Sequence, residues 1–273
     1  MLRKLLKHEF RATARTMLPM YLIVLVASLG ANLTTRGLLE TQYKILDTIG
    51  VVLVMAFVAA IIAVCVLTLV TMIERFGKNL LSDEGYLSMT LPVSVHQQVW
   101  AKLLTSIVWF AATAAVVILA FCIMAFDLGV VEEIVAQLGE VFQEIWKHMS
   151  AYYALNGTAI IIELVILAFF GLAAVCLRFY TAMAVGYSFA NYKLPLAVVI
   201  FFVIGGVEQF LMVAGANLLN LGSLGKQFEQ LLDGNPMAMT HTVFVVGILS
   251  QLAISAVFYF VTTYFLKNRL NLE

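Results

Sequence analysis

Six long apolar stretches constrain this chain more than any other feature of its sequence. A helix needs about 20 residues to cross a hydrocarbon core of about 30 Å. The stretches cover residues 17–33, 49–72, 103–126, 158–177, 194–218 and 241–265. Because lipid cannot satisfy backbone N–H and C=O groups, each stretch is expected to form a helix rather than a strand. The sequence therefore predicts an all-α polytopic membrane protein with six transmembrane helices.

Composition supports the same class. Hydrophobic residues make up 63% of the 273 residues and charged residues only 12%. A water-soluble globule of this length needs more polar surface than that. We predict a single transmembrane domain over residues 17–273, with an extracellular helical loop over 127–157.

The first sixteen residues have an amphipathic helical pattern of their own. One face carries Leu2, Leu5, Leu6 and Phe10, and the other carries Arg3, Lys4, Lys7 and Arg11. Such a pattern predicts a helix over 1–16 that lies on an anionic membrane surface, with lipid as its partner. A tail that only supplies positive charge for topology is an alternative, and the two are compatible.

The positions of lysine and arginine predict the orientation. If the N-terminus is cytoplasmic, the outer connections hold few of the 16 basic residues, namely Arg36, Lys44, Lys147 and Lys226. The others then lie on the inner side, as the positive-inside rule requires. We therefore expect both termini in the cytoplasm, with the chain crossing the cell membrane several times.

Several kinds of chemistry are excluded by missing motifs. Neither Gly77-Lys78-Asn79 nor Gly225-Lys226-Gln227 has the upstream glycine and the hydroxyl of a phosphate-binding loop. The histidines lie in different segments without metal-ligand spacing, and no G-x-S-x-G elbow occurs. We expect no enzyme activity, catalytic residue, metal site or bound cofactor in this chain, and no nucleic-acid partner.

Two glutamates, Glu163 and Glu208, fall well inside predicted spans. A charge near the centre of a bilayer costs about 2.5–3.5 kcal/mol on insertion scales. Three interpretations remain open for them: hydrogen-bonded packing between helices, a polar substrate path, or a proton relay.

Two further segments also leave alternatives open. Residues 130–148 form an amphipathic pattern that fits either a solvated helix face or a lid over an outward exit. Residues 178–193 fit either a second cytoplasmic contact or a continuation of the fourth helix, with Arg178 reaching towards the interface.

The longest water-compatible stretch in the first half of the chain lies between the second and third spans. It reads ERFGKNLLSDEGYLSMTLPVSVHQQVWAKLL over residues 74–104. This run resembles the segment between the second and third membrane helices of type-2 permeases of ATP-binding-cassette (ABC) exporters, in forms found in Gram-positive bacteria. Six spans with cytoplasmic ends and a basic N-terminal helix extend the resemblance to most of the chain.

The resemblance implies a cytoplasmic coupling helix that contacts a separate ATPase subunit. The contact residues would be Asp83, Glu84, Tyr86, Leu87, Met89 and Leu91. ATP and Mg would be bound by that partner. Because six spans are half of the usual complement, a second copy or a related permease is also expected. The implied activity is outward transport of a lipid, drug or peptide.

Local signals agree with a short helix in this segment. Asp83 and Glu84 suit the first turn of a helix, and Pro92 disfavours helix in the residue before it. Ser94 with Gln97 forms a capping-box pattern that starts the third span. The apolar side chains of the segment fit either a partner's groove or a fold back onto the helix bundle.

Two other functions remain as alternatives. One is an ATP-independent, proton-coupled secondary transporter or channel that uses Glu163 and Glu208. The other is a membrane sensor or immunity subunit without cargo.

Overall fold

Six long helices make up the part of the chain that the structure describes. A computed structural model describes residues 2–34, 44–81, 93–125, 154–189, 192–221 and 236–268, and contains no strand within those ranges. In chain order, the helices are α1 (Leu2–Leu33), α2 (Lys44–Leu81), α3 (Val95–Ala125), α4 (Ala154–Gly186), α5 (Lys193–Leu221) and α6 (Pro236–Asn268). All six are long and apolar enough to cross a membrane. The predicted all-α class with six membrane helices is therefore confirmed.

Large apolar side chains point outward from these helices. In α5, for example, Phe202 is 71% exposed and Phe210 is 72% exposed. Only 6% of the apolar windows of α5 and α6 is buried inside the protein. Contiguous apolar surface of this extent is rare in soluble monomers, whereas hydrocarbon tails solvate it without cost. The protein is therefore a multi-pass membrane protein.

The N-terminal region differs from the sequence-based expectation. The predicted helix over 1–16 is not a separate element, because α1 continues from Leu2 to Leu33 through Pro19. Its basic side chains are exposed and its first leucines are partly buried, but a distinct helix on the membrane surface is not supported. The exposed basic side chains are those of Arg3, Lys4, Lys7 and Arg11.

Helices α1, α2 and α3 share one hydrophobic core. The described residues up to Arg75, together with those from Trp100 to Ala125, form a compact unit. Buried residues recur along α1 at intervals of three and four, which places them on one face of the helix. They are Thr13, Met17, Tyr21, Val24, Ser28 and Ala31. The apolar members and Tyr21 share one hydrophobic cluster with Phe57, Val64 and Met72 of α2 and with Trp109 and Ala120 of α3.

A line of hydrogen bonds runs through this core. Trp109 Nε1 donates to the Thr13 hydroxyl at 2.7 Å. The Tyr21 hydroxyl lies 2.8 Å from that of Thr113, which lies 3.0 Å from the hydroxyl of Thr68. These contacts connect α1 with α3 and α3 with α2. Since apolar side chains give no preference for a neighbouring helix over lipid, interhelical hydrogen bonds of this kind help to select the helix partners.

The second compact unit is centred on α4. It contains α4, α5 and α6, together with residues 76–81 at the end of α2 and residues 93–99 around the start of α3. Helix α4 packs against both α5 and α6. Phe179 stacks on Phe201 of α5 with ring centroids 4.4 Å apart.

Helix α4 extends beyond the predicted span 158–177 and ends at Gly186. Of the two alternatives for residues 178–193, the structure shows the continuation of the fourth helix over its first half. Arg178 accordingly lies within α4 rather than in a connection. A turn over 187–189 follows before α5 begins at Lys193.

Glycine at position 186 allows α4 and α5 to approach closely. A Cβ atom there would lie 2.7 Å from the backbone N and Cα of Ala197, which is too close for real atoms. We expect Gly186→Ala to lower the free energy of unfolding by about 1–3 kcal/mol, as overpacking does. Thermal unfolding in detergent would measure the change.

Gly171→Ala is the matched control, because a Cβ atom at Gly171 meets no atom within 4 Å. Alanine favours helix over glycine by about 1 kcal/mol, so this variant should be as stable as the original or slightly more so. Equal stability of the two variants would contradict a tight α4–α5 contact at Gly186.

Candidate functional site

The segment between α2 and α3 is the strongest candidate site from the sequence, and its central part lies outside the described residues. This applies to each of its predicted contact residues, which are Asp83, Glu84, Tyr86, Leu87, Met89 and Leu91. The amphipathic stretch 130–148 also lies outside them. The end of α2 and the start of α3, which flank the segment, are described, and their contacts are given below.

Both flanking helices continue well past their apolar spans. Helix α2 runs to Leu81, roughly two turns or about 13 Å beyond the predicted end of its apolar run at Met72. Helix α3 begins at Val95, roughly two turns before Leu103. Both flanking helices therefore extend beyond their apolar runs towards the segment.

Ser94 begins α3 as the sequence predicts. The Gln97 backbone N–H lies within hydrogen-bonding reach of the Ser94 carbonyl oxygen, 3.0 Å away, and of its hydroxyl oxygen, 3.3 Å away. A serine in this position satisfies a backbone donor that the first turn of a helix otherwise leaves unpaired. The start of α3 is thus defined locally.

The end of α2 packs against α4. Phe76 stacks face to face on Tyr180, with ring centroids 3.9 Å apart and an interplanar angle of 6°. Next to it, Gly77 lies so close to Met183 that a Cβ atom would come within 2.6 Å of the methionine methyl group. Leu80 and Leu81 are also buried, 1% and 2% exposed respectively. The last turn of α2 is therefore held along one side.

The start of α3 contacts α6. His96 Nδ1 lies 2.7 Å from the Tyr259 hydroxyl, and the two rings are tilted with centroids 5.8 Å apart. Val99, one turn further on, is fully buried. Each described flank of the segment thus has an anchor in the α4–α6 region.

A cluster of charged residues connects α1 with α2 and α3 inside the first compact unit. Glu9 of α1 accepts from Lys102 Nζ at 2.9 Å and from Arg75 at 3.4 Å. Lys102 is 7% exposed and Glu9 is 15% exposed. Removing charged groups from water is costly unless opposite charges compensate. We call these three residues the Glu9 cluster.

The two candidate glutamates of the apolar spans each contact a basic residue on another helix. Glu208 of α5 accepts a hydrogen bond from Arg178 of α4. Both oxygens of the Glu163 carboxylate, on α4, lie about 3 Å from Nδ1 of His241 on α6, at 3.0 and 2.9 Å. The structure separates the two glutamates into different pairs rather than joining them in one path.

Sequence reasoning missed the partners of these acids. The sequence left open whether Arg178 lies in a connection or in a continued fourth helix, placed His241 at the edge of a span, and gave Glu9 no role. An acid inside an apolar span requires a partner, but no lysine or arginine lies inside the predicted spans, so the candidates are the basic residues at span edges. Choosing among them requires the relative register of the helices.

Metal binding has no support among the described residues, where no three histidine, cysteine or acidic side chains cluster closely enough to hold an ion. Comparison of this chain with known protein families, curated proteins and solved structures finds no match. Function must therefore be inferred from the geometry of the helix ends and from the sequence of the segment that they flank.

The Glu9 cluster generates a stability prediction. Glu9→Gln removes the carboxylate that Lys102 and Arg75 share, and breaking a buried pair costs about 3–5 kcal/mol. Because Arg75 is 29% exposed, water screens part of that loss. We expect about 2–4 kcal/mol lower stability at neutral pH, measured by thermal unfolding in detergent.

Glu74→Gln supplies the control, since Glu74 is exposed on the same helix as Arg75 and surface changes usually stay within about 0.5 kcal/mol. Adding Lys102→Met to Glu9→Gln should recover part of the stability, because the buried ammonium group is then gone as well. Strictly additive losses in the double variant would show that the two charges do not interact.

Proposed function

We propose that this protein is the transmembrane permease subunit of an ABC exporter, which moves a hydrophobic or amphipathic substrate outward. The observation that carries the proposal is the paired extension of α2 and α3 beyond their apolar spans. In this proposal, residues 82–92 are on the cytoplasmic side, where a water-soluble subunit can reach them. The six apolar helices supply the membrane part of the transporter.

The composition of the segment suits a protein partner. Tyr86 and Leu87 are an aromatic and an aliphatic residue next to the acids Asp83 and Glu84. Buried aromatic residues with a polar rim are typical of binding hot spots. The proposed partner is an ABC ATPase subunit on the cytoplasmic side, which binds ATP and Mg. A second copy of this chain or a related permease would complete the transporter in a bacterial cell membrane.

Energy in this proposal comes from the partner alone. ATP binding and hydrolysis change the ATPase, and the contact segment moves with it. The helices then exchange between inward and outward access. A ligand shifts such an equilibrium only through different affinities for the two states, and here that difference arises in the ATPase.

A double charge substitution in the segment tests the proposal. Tyr86→Glu with Leu87→Glu places two desolvated charges in the proposed interface. Hot-spot residues contribute about 2 kcal/mol or more each, so we expect at least about a thirtyfold loss of ATPase binding. Affinity purification in mild detergent, followed by identification of the bound ATPase, measures this.

The conservative variant Tyr86→Phe with Leu87→Met is the control, and it should retain the partner. Under this proposal, thermal unfolding of both variants should match that of the original protein, because the two side chains contact the ATPase rather than the helix bundle. If no ATPase accompanies the original protein, or if the charged variant binds it equally well, the proposed coupling contact is wrong.

One observation favours a second function. Glu163 and His241 are two ionisable groups in contact between α4 and α6, a composition found in proton relays. A proton-coupled secondary transporter would move its substrate without any ATPase. In that case, vesicles containing only this protein would show transport, and Glu163→Gln or Glu208→Gln would abolish it. Under the exporter proposal, such vesicles are inactive regardless of these substitutions.

A further inference from the structure

The end of α2 and the start of α3 belong to the compact unit of α4, α5 and α6. Within these two helices, the boundary between the compact units falls after Arg75 in α2 and before Trp100 in α3. The described residues between these places, 76–81 and 93–99, pack with α4, α5 and α6. Both helices change their packing partners near the ends that carry the segment.

The two anchors meet α4 and α6 where these helices are bonded to each other. Phe76 stacks on Tyr180, and the next residue, Thr181, has its hydroxyl 2.9 Å from that of Thr262 on α6. The same Thr181 hydroxyl donates to the Phe258 carbonyl at 3.1 Å. Phe258 directly precedes Tyr259, which contacts His96. The end of α2 and the start of α3 therefore attach to adjacent positions of one α4–α6 joint.

Burial indicates that the attachment at the end of α2 and the α4–α6 joint are firm, whereas His96 at the start of α3 is exposed. Phe76 and Tyr180 are 0% and 2% exposed, so separating the rings would expose two large aromatic surfaces. Thr262 is fully buried and Thr181 almost so. By comparison, the next residue before Tyr180, Phe179, stacks on α5 instead.

We infer that the Phe76–Tyr180 stack and the His96–Tyr259 contact transmit movement of the 82–92 segment to α4 and α6. These four residues are positioning residues that act through the helices to which they belong. The inference rests on the proposed function, because the movement itself comes from the ATPase. It adds that α4 and α6 respond first, through the joint around Thr181 and Thr262.

The attachment can be tested without any partner. In the purified protein, Tyr180→Leu removes the stack and should accelerate backbone hydrogen exchange over residues 76–81 by about tenfold or more, since loss of an aromatic pair and its burial exceeds about 1.4 kcal/mol. Tyr180→Phe keeps the ring, so its exchange over 76–81 should be much closer to that of the original protein than the exchange of Tyr180→Leu. Phe179→Leu, which disrupts the neighbouring stack on α5, should change exchange over 76–81 by less than about twofold.

Transmission is tested in the complex with the ATPase. Adding ATP and Mg should change hydrogen exchange over 177–186 and 255–266 in the original protein. A variant with Tyr180→Leu and Tyr259→Phe should still bind the ATPase and lose most of that change. The control pairs Phe179→Leu with Tyr264→Phe, whose tyrosine is 53% exposed on α6, and should keep it.

The outcomes separate the two proposals. If the original protein binds no ATPase, the proposed function fails, and this inference fails with it. If the ATPase binds and the Tyr180→Leu, Tyr259→Phe variant responds to ATP as the original does, only the inferred route is overturned. Equal acceleration of exchange over 76–81 by Phe179→Leu and Tyr180→Leu would likewise refute a specific anchor at Tyr180.

Discussion

Opposite charges on neighbouring helices are the constraint around which much of this protein is arranged. A charge inside an apolar helix is tolerated only if another helix supplies its partner. Glu9 meets Lys102 and Arg75, Glu208 meets Arg178, and Glu163 meets His241. Each contact joins helices whose residues are far apart in sequence. Because each pair forms at only one relative position of its two helices, these contacts determine the register between the helices, which apolar side chains do not.

Hydroxyl groups and small residues also help to determine which helices pack together and in which register. In the first compact unit, Tyr21, Thr68 and Thr113 connect α1, α2 and α3. In the second, Thr181 and Thr262 connect α4 with α6, and Gly186 admits α5. Helix packing in lipid relies on such contacts, since burial of an apolar side chain against protein gains little over burial against hydrocarbon tails. The outward surfaces are left to large aliphatic and aromatic residues.

This arrangement gives α4 a central role. Near its start it contacts α6 through Glu163, further along it contacts α5 through Arg178, and close to its end it contacts α2 through Tyr180. A movement of the end of α2 therefore acts directly on α4, which also contacts α5 and α6. In the proposed exporter, α4 and α6 are the helices to which the ends of α2 and α3 transmit movement from the ATPase.

Sequence reasoning predicted the elements of this fold better than their limits. The six helices follow from apolar length, and the start of α3 follows from Ser94, because both are local properties of the chain. A separate helix over residues 1–16 is not supported, because α1 is continuous from Leu2 to Leu33: a change from charged to apolar residues alters the surroundings of a helix and not its backbone. The end of the fourth helix was left open between two alternatives, and the structure places it at Gly186.

The candidate site also has a part that the sequence predicts and a part that only the structure shows. Its predicted contact residues lie outside the described part of the chain and remain predictions from the sequence. The stack of Phe76 on Tyr180 and the contact of His96 with Tyr259 had no signal in the sequence, because aromatic and histidine residues occur throughout the apolar helices. Only the folded arrangement distinguishes these pairs from others of the same composition.

By itself, the sequence determined that this chain is a set of six membrane helices, because the length of apolar runs and the need to satisfy backbone hydrogen bonds in lipid are local matters. The tertiary structure alone decided which acid meets which base and that the ends of α2 and α3 attach to α4 and α6. These features depend on distances between residues remote in the chain, which composition and periodicity do not contain.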